Sequence, residues 1–469
     1  MRSFPWSALI SLFVTSCATY RPLPLDPQAV ARQLQPPSLE TVRLSAQAIK
    51  HPLLAPLAYD DRDGLSPDEA AILAVIVNPT LRAVRDQRGL AAAQLLQAGI
   101  LPNPQVSSSL DVPTGGMTLG TVNAFGLGFN WEVTTLIARE ARIAAAQART
   151  AAVDLDIAWQ EWQIAQAAKL QVYRVVSVEM QVMVARETEN ELSDNLTAVT
   201  QAVDRGDKTI IDLAAAEAAF QQARLIRLAF EQEQAKQRLA LHETLGLPTE
   251  TPIRLQADVV LPRWPTLPSL PAATAGLEDR RLDLLALKLG YDSQEASLRA
   301  EILAQFPKIS LGFAHARDTG NVITSGPALT IDLPVFDRNQ GRIAVEHATR
   351  QQLFDEYSAR LFTARADVAR AVAELQSLTQ QVSAAEAALP KLQQLVQIYQ
   401  TAVLERNADI LSYYAARNTL ATQRLDLLKL QQSRAELGVA LELAAGQYFP
   451  NVPLLPSTPG QTGSGKGTP

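Results

Sequence analysis

The sequence of 469 residues is 47% hydrophobic, contains 42 basic and 48 acidic residues, and has a formal net charge of −6. An acidic chain of this kind lacks the basic stripe of a nucleic-acid-binding protein, so nucleic acid is not an expected partner. Beyond Cys17 the sequence has no run of about twenty apolar residues, and a membrane-spanning helix is therefore not expected in the mature chain.

Residues 1–16 are typical of a bacterial secretory signal peptide, with an arginine ahead of a short apolar segment. The segment Val-Thr-Ser-Cys that ends at Cys17 is typical of a lipoprotein signal, in which the cysteine thiol receives a diacylglycerol. Cys17 is also the only cysteine, which excludes a disulfide within the chain. We expect Cys17 to carry a covalent lipid at the mature N-terminus, and we expect no other cofactor. An ordinary signal peptide with a chance cysteine is the alternative.

Residues 17–67 are rich in proline and are expected to form an extended tether with one short helix near 39–49. Ser66, followed by a proline and two acidic residues, then predicts the start of a helix. This helix is expected to run to about residue 99. Pro79 should break or kink it, because a proline inside a helix removes a hydrogen bond.

Two stretches, 105–133 and 308–335, alternate apolar and polar residues with the period of a half-buried strand. Each contains a loop of small, turn-forming residues in its middle, so each predicts a β-hairpin. One face of the predicted strands carries small or polar residues: Ser107, Ser109, Gly126, Gly128, Ser310 and Gly312. Long helices are expected to follow the hairpins at 134–203 and at 337–405, with Asp337 as the cap of the second.

The two halves of the chain repeat each other. Leu81 aligns with Leu284 and Gly246 with Gly446, a repeat of about 200 residues. Such a length indicates two copies of a half-domain and not a solenoid, whose repeats are shorter. We therefore predict a first repeat, a proline-rich linker, a second repeat and a disordered tail, at residues 68–248, 249–275, 276–450 and 451–469.

The first long helix would extend about 105 Å at 1.5 Å per residue, which exceeds any single globular core. It must therefore pack against neighbours along its length. Apolar residues in both copies follow the spacing of a coiled coil: Leu192, Leu196, Val199 and Val203, and Leu392, Val396, Tyr399 and Val403. A buried stripe in a helical bundle is the alternative, and the spacing does not separate the two.

Each long helix is expected to end in a tight tip that leads into a returning helix, at 209–246 and 409–446. In the first tip Gly206 is the left-handed residue and Thr209 the cap; in the second, Asn407 can take the left-handed position and Asp409 is the cap. Charged residues surround both turns and are suited to orienting a partner: Arg205, Asp207, Lys208, Asp212 and Arg406. Two further acids, Asp204 and Glu405, are candidates for a pore mouth, with solvated turn residues as the alternative.

No pattern of catalytic or metal-binding residues is present. The four histidines are scattered, and neither a cysteine pair, a His-Glu-x-x-His spacing nor a glycine-rich phosphate loop occurs. His315 is isolated on a strand, where a polar wall residue is the expected role and metal ligation is the alternative. We therefore expect no metal site and no enzyme activity.

The order of these features resembles the lipidated branch of the TolC-like outer-membrane efflux factors. The resemblance rests on the duplicated hairpin and long helix, the Asn78-Pro79 opening, the strand exit at 333–337 and the Arg205-Gly206 tip. It implies a mainly α fold with a long coiled-coil helical barrel, four membrane strands per chain and a twelve-stranded β-barrel in a homotrimer. Arg406 departs from the pattern, because the first copy has glycine there.

The same resemblance implies an outer-membrane channel of a tripartite efflux system, anchored in the outer membrane by lipid and extending into the periplasm. It would conduct small molecules or ions and dock a periplasmic adaptor, coupled to an inner-membrane pump, at the two helix tips. A periplasmic coiled-coil lipoprotein that only spaces the envelope layers is the alternative. Such a spacer has no use for four membrane-length strands. The substrate stays open among metal ions, drugs and secreted peptides.

Overall fold

The computed structural model describes residues 19–60, 62–264, 266–405 and 407–449. The predicted signal peptide, Cys17, Arg406 and the tail at 451–469 lie outside the described residues. Within the described chain, the predicted tether forms two helices where one was expected: α1 (Pro27–Leu34) and α2 (Leu39–Ala48). α1 was not predicted from the sequence, although Asp26 caps it and a proline occupies its first turn, both ordinary signals of a helix start.

His51 fixes the segment that follows α2 to the body of the protein. Its side chain is only 1% exposed, and its Nδ1 accepts hydrogen bonds from the backbone N–H groups of Leu53 and Leu54, both at 3.0 Å. Because Nδ1 is an acceptor, the proton is on Nε2, which donates to the carbonyl of Ala158 at 2.8 Å. Burial lowers the pKa of His51 below 6.5; the Ala158 carbonyl and nearby Glu161 oppose this shift.

We expect this attachment to fail in acid. A protonated His51 would direct an Nδ1–H group at two backbone N–H donors. Since the folded-state pKa is lowered, the contribution to stability is complete above pH 6.5 and is lost as pH falls through the folded pKa. The protection factors of the amides in residues 50–57, which correct for the intrinsic pH dependence of hydrogen exchange, should therefore fall on acidification, and His51→Gln should remove this fall. The exposed His347→Gln is the control; equal pH profiles in the two variants would contradict the prediction.

The first predicted helix is divided into α3 (Pro67–Val77), α4 (Pro79–Arg85) and α5 (Gln87–Gly99). Ser66 and Glu69 form a reciprocal capping box at its start. The break predicted at Pro79 is present, and a second break at Asp86 was not predicted. The first break has a tertiary cause as well, because the Asn78 amide donates to the carbonyl of Thr244 at 3.0 Å.

Four strands form one antiparallel sheet in the order β1 (Gln105–Asp111), β2 (Ala124–Glu132), β3 (Lys308–Arg317) and β4 (Ile323–Asp332). β2 pairs with β3, so the two hairpins, about 200 residues apart in sequence, share one sheet. β4 ends before the predicted limit of residue 335. Pro327 lies on this strand, which is at the edge of the sheet, where a proline costs no ladder hydrogen bond inside the sheet.

The register separates the two faces of the sheet. The small-residue face carries all six of the small or polar residues predicted to share a face; for example, Ser107 pairs with Gly128, and Ser310 with Thr330. The opposite face, called the apolar face below, carries large side chains that the structure leaves about half exposed: Phe129, Leu311, Phe313 and Leu329. A sheet with an exposed apolar face and a small-residue face matches the alternation of outer-membrane strands.

The long helices are α6 (Thr135–Asp204, 70 residues) and α11 (Gln340–Leu404, 65 residues), and they return as α7 (Ile210–Leu245) and α12 (Ile410–Ala445). Between the repeats lies α8 (Leu270–Thr274), and the second repeat begins with α9 (Leu277–Arg280) and α10 (Leu282–Leu303). The linker is therefore not a free spacer: it contains α8, and its Trp264 is only 4% exposed in the core.

The prediction that Asp337 caps the second long helix is wrong. α11 begins at Gln340, after Asn339, which has a left-handed φ of 64°. The Asp337 carboxylate instead accepts a hydrogen bond from the Asn339 backbone at 2.8 Å, while the Asn339 amide binds the Glu301 carbonyl of α10 at 2.8 Å. This contact with another helix delays the start of α11.

The duplication extends to individual hydrogen bonds. Asn78 of the first repeat donates to the Thr244 carbonyl, and Arg281, at the matching position of the second, donates to the Ala444 carbonyl at 3.2 Å. Each bond lies beside a left-handed glycine that ends the returning helix, Gly246 at φ 73° or Gly446 at φ 63°. The two repeats thus close in the same way with different side chains.

Candidate functional site

The first helix tip connects α6 to α7 through Gly206, whose φ is 78°. Gly206 donates its N–H to the Val203 carbonyl at 2.9 Å, and Asp207 donates to the Ala202 carbonyl at 2.8 Å. This pair of bonds closes the end of α6, as is usual after a left-handed glycine. Arg205 forms an ion pair with Asp207 at 3.2 Å across the turn, with both side chains more than half exposed.

Thr209 and Asp212 begin the returning helix with a capping box. The Thr209 hydroxyl accepts from the Asp212 N–H at 3.2 Å, and the Asp212 carboxylate accepts from the Thr209 N–H at 2.8 Å. The bond from the Thr209 backbone lowers the pKa of Asp212, which stays ionised in neutral solution. The predicted residues of the first tip are therefore brought together, with Lys208 partly exposed between the turn and the cap.

The second tip differs from the prediction in one respect. Asn407 donates its N–H to the Ala402 carbonyl at 2.7 Å, which is the bond that Asp207 makes in the first tip. Asn407 therefore corresponds to Asp207 and not to the left-handed Gly206. The residue that corresponds to Gly206 is Arg406, which lies outside the described residues. Asp409 caps α12 as predicted, accepting from the Leu411 N–H at 3.2 Å.

The two acids proposed for a pore mouth, Asp204 and Glu405, are both exposed. Asp204 is the last residue of α6, whereas Glu405 follows α11 and accepts a hydrogen bond from the Asn407 amide at 3.2 Å. Their assignment to a pore mouth stays a prediction, as does the role of the tip charges.

Behind the tips, the two long helices and the two returning helices share one hydrophobic cluster. Seven of the eight residues predicted from the coiled-coil spacing meet there, all except Leu392, with additions from α7 and α12: Leu192, Leu196, Val199, Val203, Val396, Tyr399, Val403, Phe220, Ile410 and Tyr413. The Tyr414 hydroxyl donates to the Asn195 side chain of α6. The two tips are therefore joined by a common core and are not independent turns.

A series of ion pairs joins α6 to α12 above this cluster. Arg417 pairs with Glu191, and Arg424 pairs with Glu187 at 3.1 Å. Burial lowers the pKa of Arg417, which nevertheless remains a cation at neutral pH. These four residues were not predicted from the sequence, although the arginines are two helical turns apart and the glutamates one turn apart, so each pair lies on one face of its helix.

The described residues contain no group of three or more His, Cys, Asp or Glu side chains arranged to hold a metal ion. His315 lies on β3, and its Nδ1 is 2.6 Å from the Ser325 hydroxyl of β4. None of the helices in the described part of the chain has both the length and the apolar character needed to cross a membrane.

The fold and the tips define a class of protein in which a duplicated helical hairpin runs from a shared four-stranded sheet to paired tips. Residues 276–447 match the family model described as outer membrane efflux protein. The second repeat is therefore similar to the outer membrane efflux proteins, in agreement with the TolC-like resemblance seen in the sequence.

Two curated relatives are cation efflux system proteins CusC, from Escherichia coli O6:H1 strain CFT073 and from strain K12. They are 26% and 25% identical to this chain over 277 residues. The match covers 57% of this chain but only 60% of the length of each relative.

Solved structures match over more of the chain. A CusC structure has a TM-score of 0.70 at 20% identity, covering 85% of this chain and 98% of its own. The Campylobacter jejuni CmeC outer membrane channel has a TM-score of 0.68 at 15% identity, covering 85% and 91%. The open state of the Neisseria gonorrhoeae MtrE outer membrane channel has a TM-score of 0.67 at 17% identity, covering 86% and 96%. These likenesses show a shared fold.

Proposed function

We propose that this protein is the outer-membrane channel of a tripartite efflux system, conducting small molecules or ions from the periplasm to the outside. One observation carries the proposal: the four strands form a single sheet, and the helices that leave it are about 100 Å long by helix rise. A sheet with an exposed apolar face suits the membrane, and helices of this length suit a passage across the periplasm. The alternative, a spacing lipoprotein without a channel, leaves the sheet without a role.

Trimerisation is the second part of the proposal. β1 and β4 are the edges of the sheet, and open edges in lipid leave backbone groups without partners, at several kcal/mol each. Three copies would give a twelve-stranded barrel with the small-residue face lining its lumen, whereas eight strands would be filled by their own side chains. We expect native mass spectrometry in detergent to show trimers. Monomers or dimers alone would contradict the barrel.

Lipidation of Cys17 is the third part. The lipoprotein-like segment before it and the absence of other cysteines support the assignment. We expect intact-mass analysis of protein from membranes to show a mature chain that begins at Cys17 and carries lipid mass. Cys17→Ala should accumulate as an unprocessed or poorly anchored protein. A mature chain that begins elsewhere, or has no added lipid, would contradict the assignment.

The tips are the proposed docking site for a periplasmic adaptor, which would couple the channel to an inner-membrane pump. The exposed ion pair of Arg205 and Asp207, together with Lys208, supports this role, because exposed charges orient partners more than they add affinity. The tips lie at the opposite end of the long helices from the sheet, and are therefore the part of the chain nearest an inner-membrane partner.

The substrate class is open among metal ions, drugs and secreted peptides, and the names of the curated relatives add cations to the first tests. A deletion strain should be grown across a panel of toxic metals and drugs and complemented with the intact gene. We expect the deletion strain to be sensitive to a defined subset of these metals and drugs, and we expect the intact gene to restore its tolerance. Unchanged tolerance to the whole panel, with the envelope spacing altered instead, would favour the spacing lipoprotein.

A further inference from the structure

Two basic residues interrupt the apolar face of the sheet at one end. The register places Arg317 beside Phe125 and Ile323, and places His315 beside Leu127 and Ser325. Both rows lie at the end of the strands that is farthest from the long helices. Toward the helices the same face carries only large apolar or aromatic residues and Pro327: Val106, Phe129, Trp131, Ile309, Leu311, Phe313, Leu329 and Ile331.

The charge of Arg317 is not neutralised within the described chain. Its guanidinium carbon lies 5.2 Å from the centre of the Phe125 ring, and one terminal nitrogen donates to the Asn123 carbonyl at 2.8 Å. No carboxylate forms an ion pair with it among the described residues, and its Nε has no hydrogen-bond partner there. The adjacent Asp318 is used by the hairpin turn, where it accepts from the Val322 N–H at 2.9 Å.

His315 lies next to this guanidinium across Phe125. The His315 and Phe125 ring centres are 5.9 Å apart, and the Nδ1 atom of His315 is bonded to Ser325. The bond fixes the ring and leaves Nε2 without a hydrogen bond in the described chain. These two rows therefore offer an unpaired guanidinium and an imidazole nitrogen beside the Phe125 ring, on a face whose other polar residues are Ser108 and Ser325.

The next step rests on the proposed function, in which these strands span the outer membrane. A tilted membrane strand needs about 9–11 residues to cross the hydrocarbon layer, which is about the length from Ile309 to Arg317. Arg317 would then lie at the outer boundary, where a cation on the lipid face is tolerated, and not at the midplane, where it is costly. At that boundary the neighbouring polar groups are lipid headgroups.

We propose that Arg317 and His315 bind the phosphate group of a lipid in the outer leaflet. A guanidinium presents paired N–H donors whose geometry matches phosphate oxygens, and its weak hydration suits a site at the edge of the membrane. The ring of Phe125 restricts the guanidinium, so less freedom is lost on binding. The opposite end of the apolar face has Trp131, Ile309 and Ile331 and no cation. A phosphate-binding site on this face is therefore expected only at the end that lies in the outer leaflet.

Purified full-length trimers provide the test. Native mass spectrometry should be recorded with added lipid A, a phosphorylated glycolipid, or with phosphatidylcholine, and also after addition of inorganic phosphate. We expect selective retention of lipid A, reduced about tenfold or more in Arg317→Gln, the size of one lost charge-assisted hydrogen bond. His315→Gln should reduce it less. Lys308→Gln, which removes a cation from the small-residue face at the other end of β3, is the matched control and should retain lipid A fully.

Equal lipid A retention in the wild type, Arg317→Gln and His315→Gln would overturn the inference. A loss of lipid A in Lys308→Gln as large as that in Arg317→Gln would overturn it too. Displacement of lipid A by an equal concentration of inorganic phosphate would show a site for free phosphate and overturn the lipid assignment. Efflux and trimer assembly are measured on the same proteins. If the Arg317→Gln and His315→Gln proteins form active trimers with unchanged lipid A retention, this inference alone is contradicted. If the wild type is absent from the outer membrane, the proposed function is contradicted.

Discussion

Replacing Gly206 with valine is expected to abolish most efflux while trimers still assemble in the outer membrane. Gly206 has a φ of 78°, a conformation that costs an L-residue about 1–2 kcal/mol and costs β-branched residues more. Apart from Gly206 and its two neighbours in the chain, no described residue has an atom within 4 Å of the position that a Cβ would take. The new side chain therefore strains the turn and occupies space that only solvent or a docked partner would fill. Strain of this size alone shifts the population of the native turn by a factor of about 5–30.

Gly116 provides the matched control for this experiment. It lies in the loop between β1 and β2, at the other end of the molecule, with a φ of 81°, and a Cβ at this position would also meet no described atom within 4 Å. Gly116→Val thus introduces the same kind of strain away from the tips, and it should retain efflux. Efflux is measured as drug or metal tolerance of the complemented deletion strain, alongside the amount of trimer. Full efflux by assembled Gly206→Val trimers would show that the tip does not dock the adaptor.

Replacing Gly246 with alanine is expected to cause the largest loss of stability among the left-handed glycines that end helices. Its φ is 73°, and a Cβ there would lie 2.7 Å from the Cα of Asn78, so backbone must move. The conformational strain of about 1–2 kcal/mol is then joined by an overpacking cost of about 1–3 kcal/mol. The loss matters for function because this contact joins the end of α7 to the break between α3 and α4.

Two alanine variants complete a graded series in which the backbone conformation is nearly constant. At Gly446 a Cβ would meet Arg281, with Cγ at 3.0 Å and Cα at 3.2 Å, so part of the crowding falls on a flexible side chain. At Gly206 it would meet nothing in the described chain. Thermal unfolding of the purified proteins should therefore show losses in the order Gly246, Gly446, Gly206. Equal decreases in Tm would mean that strain alone, without packing, sets the cost.

Local residue choice was enough to predict the main elements. The alternation on both sides of each hairpin predicted all four strands, because successive side chains of a strand point to opposite faces. Thr209 and Asp409 were identified as caps from their position before long helical segments, and the structure confirms both. The coiled-coil spacing also identified residues that share the cluster behind the tips. These signals are local, so they survive without knowledge of the fold.

The errors and omissions have tertiary causes. Asp337 has the residue type of a cap, but Asn339 binds α10 and moves the start of α11 to Gln340. Asparagine is a residue type that can adopt the left-handed conformation of a turn. The hydrogen bond from Asn407 to Ala402, however, matches that of Asp207, one position after the left-handed Gly206. The attachment of His51 depends on a carbonyl of α6 more than a hundred residues away in sequence. No local preference encodes such contacts.

The strand and helix periods and the caps were predictable from the sequence because each depends on residues within one or two turns of each other. Comparison of the two halves of the chain added the duplication, and hence two strand hairpins and two pairs of long helices. The packing of the whole chain was needed to show that β2 pairs with β3, which brings Phe125 beside His315 and Arg317. It was also needed to show that α6 faces α12 through Glu191 and Arg417. Such juxtapositions are set by the packing of the two repeats against each other. Their energy depends on burial and distance between residues far apart in the chain, which a pattern along one segment does not contain.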